Sequence, residues 1–243
     1  MQEFLKLNYS NKIKGLILLG IATVICLMNV HGIQQLGERP YLFLYWDIFL
    51  AWVPVLLAII LDAVYLVSVK LVRIMLVSIV SLIWLLFFPN SPYLVTELLH
   101  IFIHYSYDPT QRFWVDMEFW QHLFTLFFVA LVGLLLTWYS LNSIQMLIRK
   151  SYGKIMGWIA AMAILVLSSF GVYIGRFVRW NSWDVLTRPE HILQETYMML
   201  TDSTQFNPIF VFCKFMFMIM VLSYVPMYWL ANKEQSKEPQ RRQ

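Results

Sequence analysis

Apolar runs approaching the roughly 20 residues that carry a helix across a bilayer recur six times along the chain, at residues 15–33, 41–66, 74–88, 119–141, 155–175 and 207–230. The pattern predicts an all-α, polytopic membrane protein with about six transmembrane helices. Residues 15–230 are expected to form a single membrane domain, between a cytoplasmic N-terminal segment 1–14 and a cytoplasmic polar tail 231–243. The first run follows Lys6, Lys12 and Lys14 as a signal peptide would, yet the stretch from Asn29 to Gln34 offers no small-x-small cleavage site, so a retained helix is expected. Connections on one side are short. On the other side two are long, residues 89–118 and 176–206, and neither reaches the size of a separate domain.

Composition agrees with this reading. Hydrophobic residues make up 60% of the 243, charged residues only 13%, and mean hydropathy is +0.64, where soluble domains average about 45–50% apolar and about 25% charged. A disordered or collagen-like chain is excluded. The formal charge of +4 does not form the clustered basic surface that nucleic acid requires. Cys26 and Cys213 each sit in an apolar run, with no CxxC pair to suggest a disulfide framework or a thiolate metal site.

Lys and Arg fix the orientation, because cytoplasmic segments keep the excess. With the N-terminus inside, 12 fall on the inner side: Lys6, Lys12, Lys14, Lys70, Arg73, Arg149, Lys150, Lys154, Lys233, Lys237, Arg241 and Arg242. Five fall outside, Arg39, Arg112, Arg176, Arg179 and Arg188, among nine acidic residues. Both termini are therefore expected in the cytoplasm of a cell membrane.

The outer connections hold the unusual polar residues. The third run has only 15 residues, roughly 22 Å of helix against a hydrocarbon core of about 30 Å. The break Pro89-Asn90-Ser91-Pro92 is therefore expected near membrane depth, with Ser91 as N-cap and Pro92 opening a new interfacial helix over residues 93–105. A helix start there would point a positive dipole end into the break; an ordinary turn into an interfacial helix is the plainer alternative. In that helix Tyr93, Glu97, His100 and His104 share one face. Glu97 and His100 have the spacing of a carboxylate and imidazole pair in metal-binding bundles, and His100 and His104 that of helical zinc ligands. A divalent metal is thus one expectation; an amphipathic face turned to water is the other.

Asp47, entering the second run after the aromatic stretch Tyr41 to Trp46, needs a partner at that depth. Arg176 and Arg179, three residues apart at the outer end of the fifth run, are the expected partners, and they could equally hold an anion. Asn181, Trp183 and Asp184 follow them. Asp116, Glu118 and His122 flank the fourth run at the same outer level. Trp114, Trp120, Tyr173, Trp180 and Trp183 each also fit an interfacial aromatic belt. Asp62, near the inner end of the second run, is expected to reach cytoplasmic water.

The segments running Phe88 to His100 (FPNSPYLVTELLH) and Gly171 to Leu186 (GVYIGRFVRWNSWDVL), with the Trp46-Asp47 entry into a Pro-containing span, resemble a family of bacterial multi-pass membrane proteins labelled domain of unknown function (DUF) 1361. The resemblance implies a bacterial cell-membrane protein and supplies no catalytic residues.

Three function classes follow. In the first, the outer polar layer binds or processes an anionic envelope lipid or lipid-linked phosphate, with Arg176 and Arg179 on the anion and Asp47, Glu97, His100, Asp116 or Asp184 serving in proton transfer or ligation. Asn90, Tyr93, His122, Asn181 and Trp183 would support it. In the second, the same charges form a structural lid of a non-catalytic subunit that meets another membrane protein. The third, a transporter, usually carries polar groups near mid-membrane and paired broken helices; here the acids gather near one surface.

Overall fold

The computed structural model describes residues 9–34, 39–105, 113–180 and 187–237. Among these all regular structure is helical. Helices α1 (Tyr9–Gly32), α2 (Leu44–Val64) and α3 (Lys70–Phe87) lead into a short α4 (Asn90–Tyr93), a 3-10 stretch Leu94–His100 and α5 (Ile101–His104). A 3-10 turn, Phe113–Val115, precedes the long α6 (Met117–Tyr152). Then come α7 (Lys154–Tyr173), a π-helical turn Ile174–Val178, α8 (Pro189–Thr201) and α9 (Ser203–Lys237). Six helical segments are long and apolar enough to cross a membrane: Lys12–Gly32, Leu44–Val64, Lys70–Ile103, Met117–Tyr152, Lys154–Val178 and Phe206–Ala231. The protein is a multi-pass helical protein whose environment is a lipid bilayer.

The third of these corrects the expectation of a break. Phe88 and Pro89 keep right-handed helical backbone angles, and the chain stays helical through both prolines. The ladder is loosened instead of broken, because Pro92 has no N–H to give to Phe88. The Phe88 carbonyl accepts from the Ser91 N–H at 3.2 Å, and Asn90 Nδ2 donates to Phe87 O at 2.8 Å. Ser91 caps nothing; its hydroxyl donates to the Ala51 carbonyl of α2 at 2.7 Å. The apolar path therefore runs on to Ile103, which removes the apparent shortness of this span. The Pro89 to Pro92 segment thus supplies no side-chain-capped helix start of the kind expected there. The last helix likewise continues through Lys237, into the polar tail, where Lys, Glu and Gln favour helix.

Helix α6 is the central post. It packs against α1, α2, α7, α9 and the 3-10 stretch. One apolar cluster joins α1, α2 and α6 through Leu19, Cys26, Leu44, Ile48, Leu126 and Leu136; the other joins α2, α3, α6, α7 and α9 through Ala58, Trp84, Leu141, Leu165 and Met220. Close approach at two glycines sets where the polar end forms. A Cβ on Gly133 of α6 would stand 2.5 Å from the Ser91 carbonyl oxygen, and one on Gly171 of α7 would stand 2.5 Å from Pro89 Cγ. Small residues let helix backbones meet where lipid supplies no hydrophobic drive. The turn between α6 and α7 is a single Gly153 with φ of 91°, a left-handed-side conformation that glycine adopts without strain.

Several polar groups inside the bundle are paired within it. Trp84 Nε1 donates to Ser140 Oγ at 2.8 Å, and Ser140 Oγ donates to the Pro54 carbonyl at 3.0 Å. Asp62 is buried and held by Lys12 at 2.5 Å, not extended to water as expected from its place near the helix end. Lys12 can reach it because α1 begins its apolar run opposite the last turn of α2.

Candidate functional site

Where α2 begins, α3 ends and α7 unwinds, a cavity of about 760 Å³ opens between them. Its charged and polar wall comprises Asp47, Asn90, Tyr93, Glu97, His100, Arg176 and Arg179. Seven side chains from three segments that lie far apart in sequence are thus brought to one chamber. Leu50, Leu85, Leu86, Leu167 and Phe170 form its apolar wall, and Phe43, Trp46 and Trp180 add aromatic surface. Ile192 of α8 also reaches it.

Glu97 is the anchor. Its side chain is only 1% exposed, and its Oε1 lies 3.2 Å from Arg176 Nη1. Its Oε2 lies 2.8 Å from His100 Nδ1, one helical turn on. The same Arg176 Nη1 donates to the Tyr93 hydroxyl at 3.4 Å, and the guanidinium stands 6.0 Å from the Tyr93 ring centre. His100 rests against Phe43, ring centres 4.6 Å apart. A buried carboxylate is costly unless its oxygens are occupied by donors; Arg176 meets that need at Oε1, while at Oε2 His100 stands within ion-pair distance and no hydrogen bond is formed. The arrangement presents a fixed imidazole oriented through Nδ1, which is how a carboxylate commonly aims a proton-transferring histidine.

Asp47 sits in the first turn of α2, where the helix dipole favours a negative charge. It is half-buried and close enough to Arg176 and Glu97 for their charges to act on one another. The direct partner of Arg176, however, is Glu97 and not Asp47 as the sequence suggested. The Asp47 backbone N–H donates to Phe43 O at 3.3 Å, but among the described residues the Asp47 side chain has no hydrogen bond and no ion pair within 4.0 Å.

The π-helical turn aims the arginines. Its closing bond, Arg179 N–H to Ile174 O at 2.9 Å, spans five residues and so rotates the chain end relative to an α-helix. Arg179 then adopts φ of 63°, the one non-glycine residue with positive φ among those described. Such backbone strain at a cavity rim is commonly tied to function. The Arg179 side chain is exposed and has no side-chain partner among the described residues.

Two expected members fall elsewhere. Asp116 is exposed at the start of α6 and does not line the cavity. His122 is buried in a separate cluster, its Nδ1 2.9 Å from the Tyr41 hydroxyl and its Nε2 4.0 Å from Glu118 Oε1. The ring of Tyr105 packs edge-on to it, 5.4 Å between centres. Burial, with Glu118 and Asp116 nearby, holds the Tyr105 phenol above its ordinary range. Asn181, Trp183 and Asp184 lie outside the described residues, as does the side chain of His104. Among the described residues no group of three or more His, Cys, Asp or Glu side chains could hold a metal ion. The Glu97 and His100 pair that raised the expectation is turned inward, on itself and on Arg176.

Sequence reading missed Phe43, Ser168 and the leucines at 85 and 86. Ser168 had a signal, since Ser168-Ser169 is a polar pair in an otherwise apolar helix; the leucines had none, being indistinguishable from lipid-facing neighbours.

Comparison with curated proteins and with solved structures found no match to the chain. A family model described as protein of unknown function (DUF1361) matches residues 46–222, which hold every cavity residue named above except Phe43, and the chain belongs to that family.

Proposed function

We propose that the cavity is a binding site for a phosphate-bearing lipid of the bacterial cell envelope, a phospholipid or a lipid-linked phosphate. The observation that carries this is the mixed lining of one chamber, apolar at Leu85, Leu86, Leu167 and Phe170 and charged at Arg176 and Arg179. An amphiphile needs both, and a soluble metabolite would have no use for the first. Arg179, unengaged by any described side chain, offers a planar fork of donors to a phosphate. Arg176, fixed by Glu97 and Tyr93, adds charge at a set position. If the lipid is processed and not only held, His100 backed by Glu97 is the pair equipped to move a proton.

In this reading residues 15–230 are one membrane-embedded unit of a cell-membrane protein, with both termini cytoplasmic and the cavity at the outer surface. The 12 to 5 distribution of Lys and Arg supports that orientation.

The test is titration of the purified full chain with short-chain phosphatidic acid or phosphatidylglycerol, followed through tryptophan fluorescence, beside an uncharged diacylglycerol. Arg179→Gln should weaken phospholipid binding by about tenfold or more, the scale of a lost charge-assisted hydrogen bond, and leave the diacylglycerol response unchanged. Phospholipid binding that is absent, or indifferent to Arg179, would refute the reading.

A further inference from the structure

We propose that the head group taken by this cavity carries a cationic amine beside its phosphate, as in an aminoalkyl glycerophospholipid; this rests on the lipid-binding reading above. The argument is a charge balance. Glu97 is neutralised internally, with Oε1 on Arg176 and Oε2 on His100. What then faces the chamber is one carboxylate, Asp47, and one guanidinium, Arg179, neither of which has a side-chain hydrogen bond or ion pair among the described residues.

A ligand with only negative charge would satisfy Arg179 and be repelled by Asp47. Like charges that share a partly desolvated chamber repel each other more strongly than they do in water. A head group of both signs satisfies both ends. The α2 dipole eases the charge on Asp47 but leaves its oxygen lone pairs without donors, which an ammonium would provide.

The surroundings of Asp47 suit a cation. Trp46 precedes it in the chain, and Phe43, Tyr93 and Trp180 line the same chamber. Aromatic faces attract ammonium groups, the more so when partly desolvated. An anion has nothing to gain from such a wall. A carboxylate with aromatic rings at one side and an arginine at the rim is the complement of an ammonium and a phosphate joined by a short link.

The experiment uses the purified full chain and four short-chain lipids with the same tails: phosphatidylethanolamine, phosphatidylcholine, phosphatidylglycerol and phosphatidic acid. Wild-type protein should prefer the two amine-bearing lipids over phosphatidylglycerol by about tenfold. Asp47→Asn should bring that ratio close to one, and Arg179→Gln should weaken all four together. Phosphatidylcholine binding as well as phosphatidylethanolamine would place recognition on the aromatic faces; a preference for phosphatidylethanolamine would place it on hydrogen bonds to Asp47. Equal or tighter binding of phosphatidylglycerol by the wild type overturns the inference while leaving the lipid reading in place, and the wild-type ratio decides this even if Asp47→Asn cannot be recovered. Binding of none of the four removes the lipid reading itself.

Discussion

Glu97 and Arg176 stand 79 positions apart in the chain and meet at 3.2 Å in the wall of the cavity. One comes from the 3-10 stretch after α4, the other from the π-helical turn after α7. Both elements depart from the α-helix, and both do so where they face each other.

Breaking that pair should be costly, because each partner left alone is a charge with little water around it. Glu97→Gln or Arg176→Gln should each destabilise the protein by about 3 to 5 kcal/mol. The double substitution should lose much less than the sum, since neither charge is then stranded. Thermal unfolding in detergent measures this; additive losses would show that the contact contributes nothing of its own.

Helix approach at the glycines is the next point open to test. Gly133→Ala puts a Cβ against the Ser91 carbonyl, and Gly171→Ala puts one against the Pro89 ring. Each should destabilise by about 1 to 3 kcal/mol through overpacking. Gly20→Ala, with nothing within 4 Å, should change stability by no more than about 0.5 kcal/mol. Melting curves of the three variants should separate them in that order.

At Arg179 stability and function should move in opposite directions. Its φ of 63° suits glycine. Replacement Arg179→Gly should raise stability by about 0.5 to 1 kcal/mol by relieving the left-handed conformation, while phospholipid affinity falls. A variant that loses both stability and affinity would mean the side chain serves the fold and not the ligand.

Orientation has a direct check. A single cysteine placed in residues 233–243, in a chain whose Cys26 and Cys213 are replaced, should resist an impermeant thiol reagent in intact cells and react after lysis. One placed at Asp116 should react in intact cells. The reverse pattern would put the cavity on the cytoplasmic face.

Six helices were legible because hydropathy over about 20 residues has few competing explanations. The gathering of Asp47, Glu97, His100 and Arg179 at one level was also legible, through the cost of placing ionisable groups in spans. Partner choice was not. Asp47 and Glu97 are both acids at the right depth, and only packing of α4 against α2 and α6 decides which one Arg176 meets. The Pro89 to Pro92 segment misled because each proline removes one N–H, which ends a helix in water but here only loosens it, the Phe88 carbonyl being reached by the Ser91 N–H and the Phe87 carbonyl by the Asn90 side chain. The π-helical turn had no sequence signal, since Gly175 invites an unwinding near that point without stating its form.

The most direct measurement is a cryo-electron microscopy map of the protein in nanodiscs made with phosphatidylethanolamine and phosphatidylglycerol. The expected result is elongated density in the cavity, with its tail along Leu85, Leu86 and Leu167 and its phosphate at Arg179. A cavity that holds only water, or that has closed over Asp47 and Arg179, would contradict the proposal that this site binds a lipid.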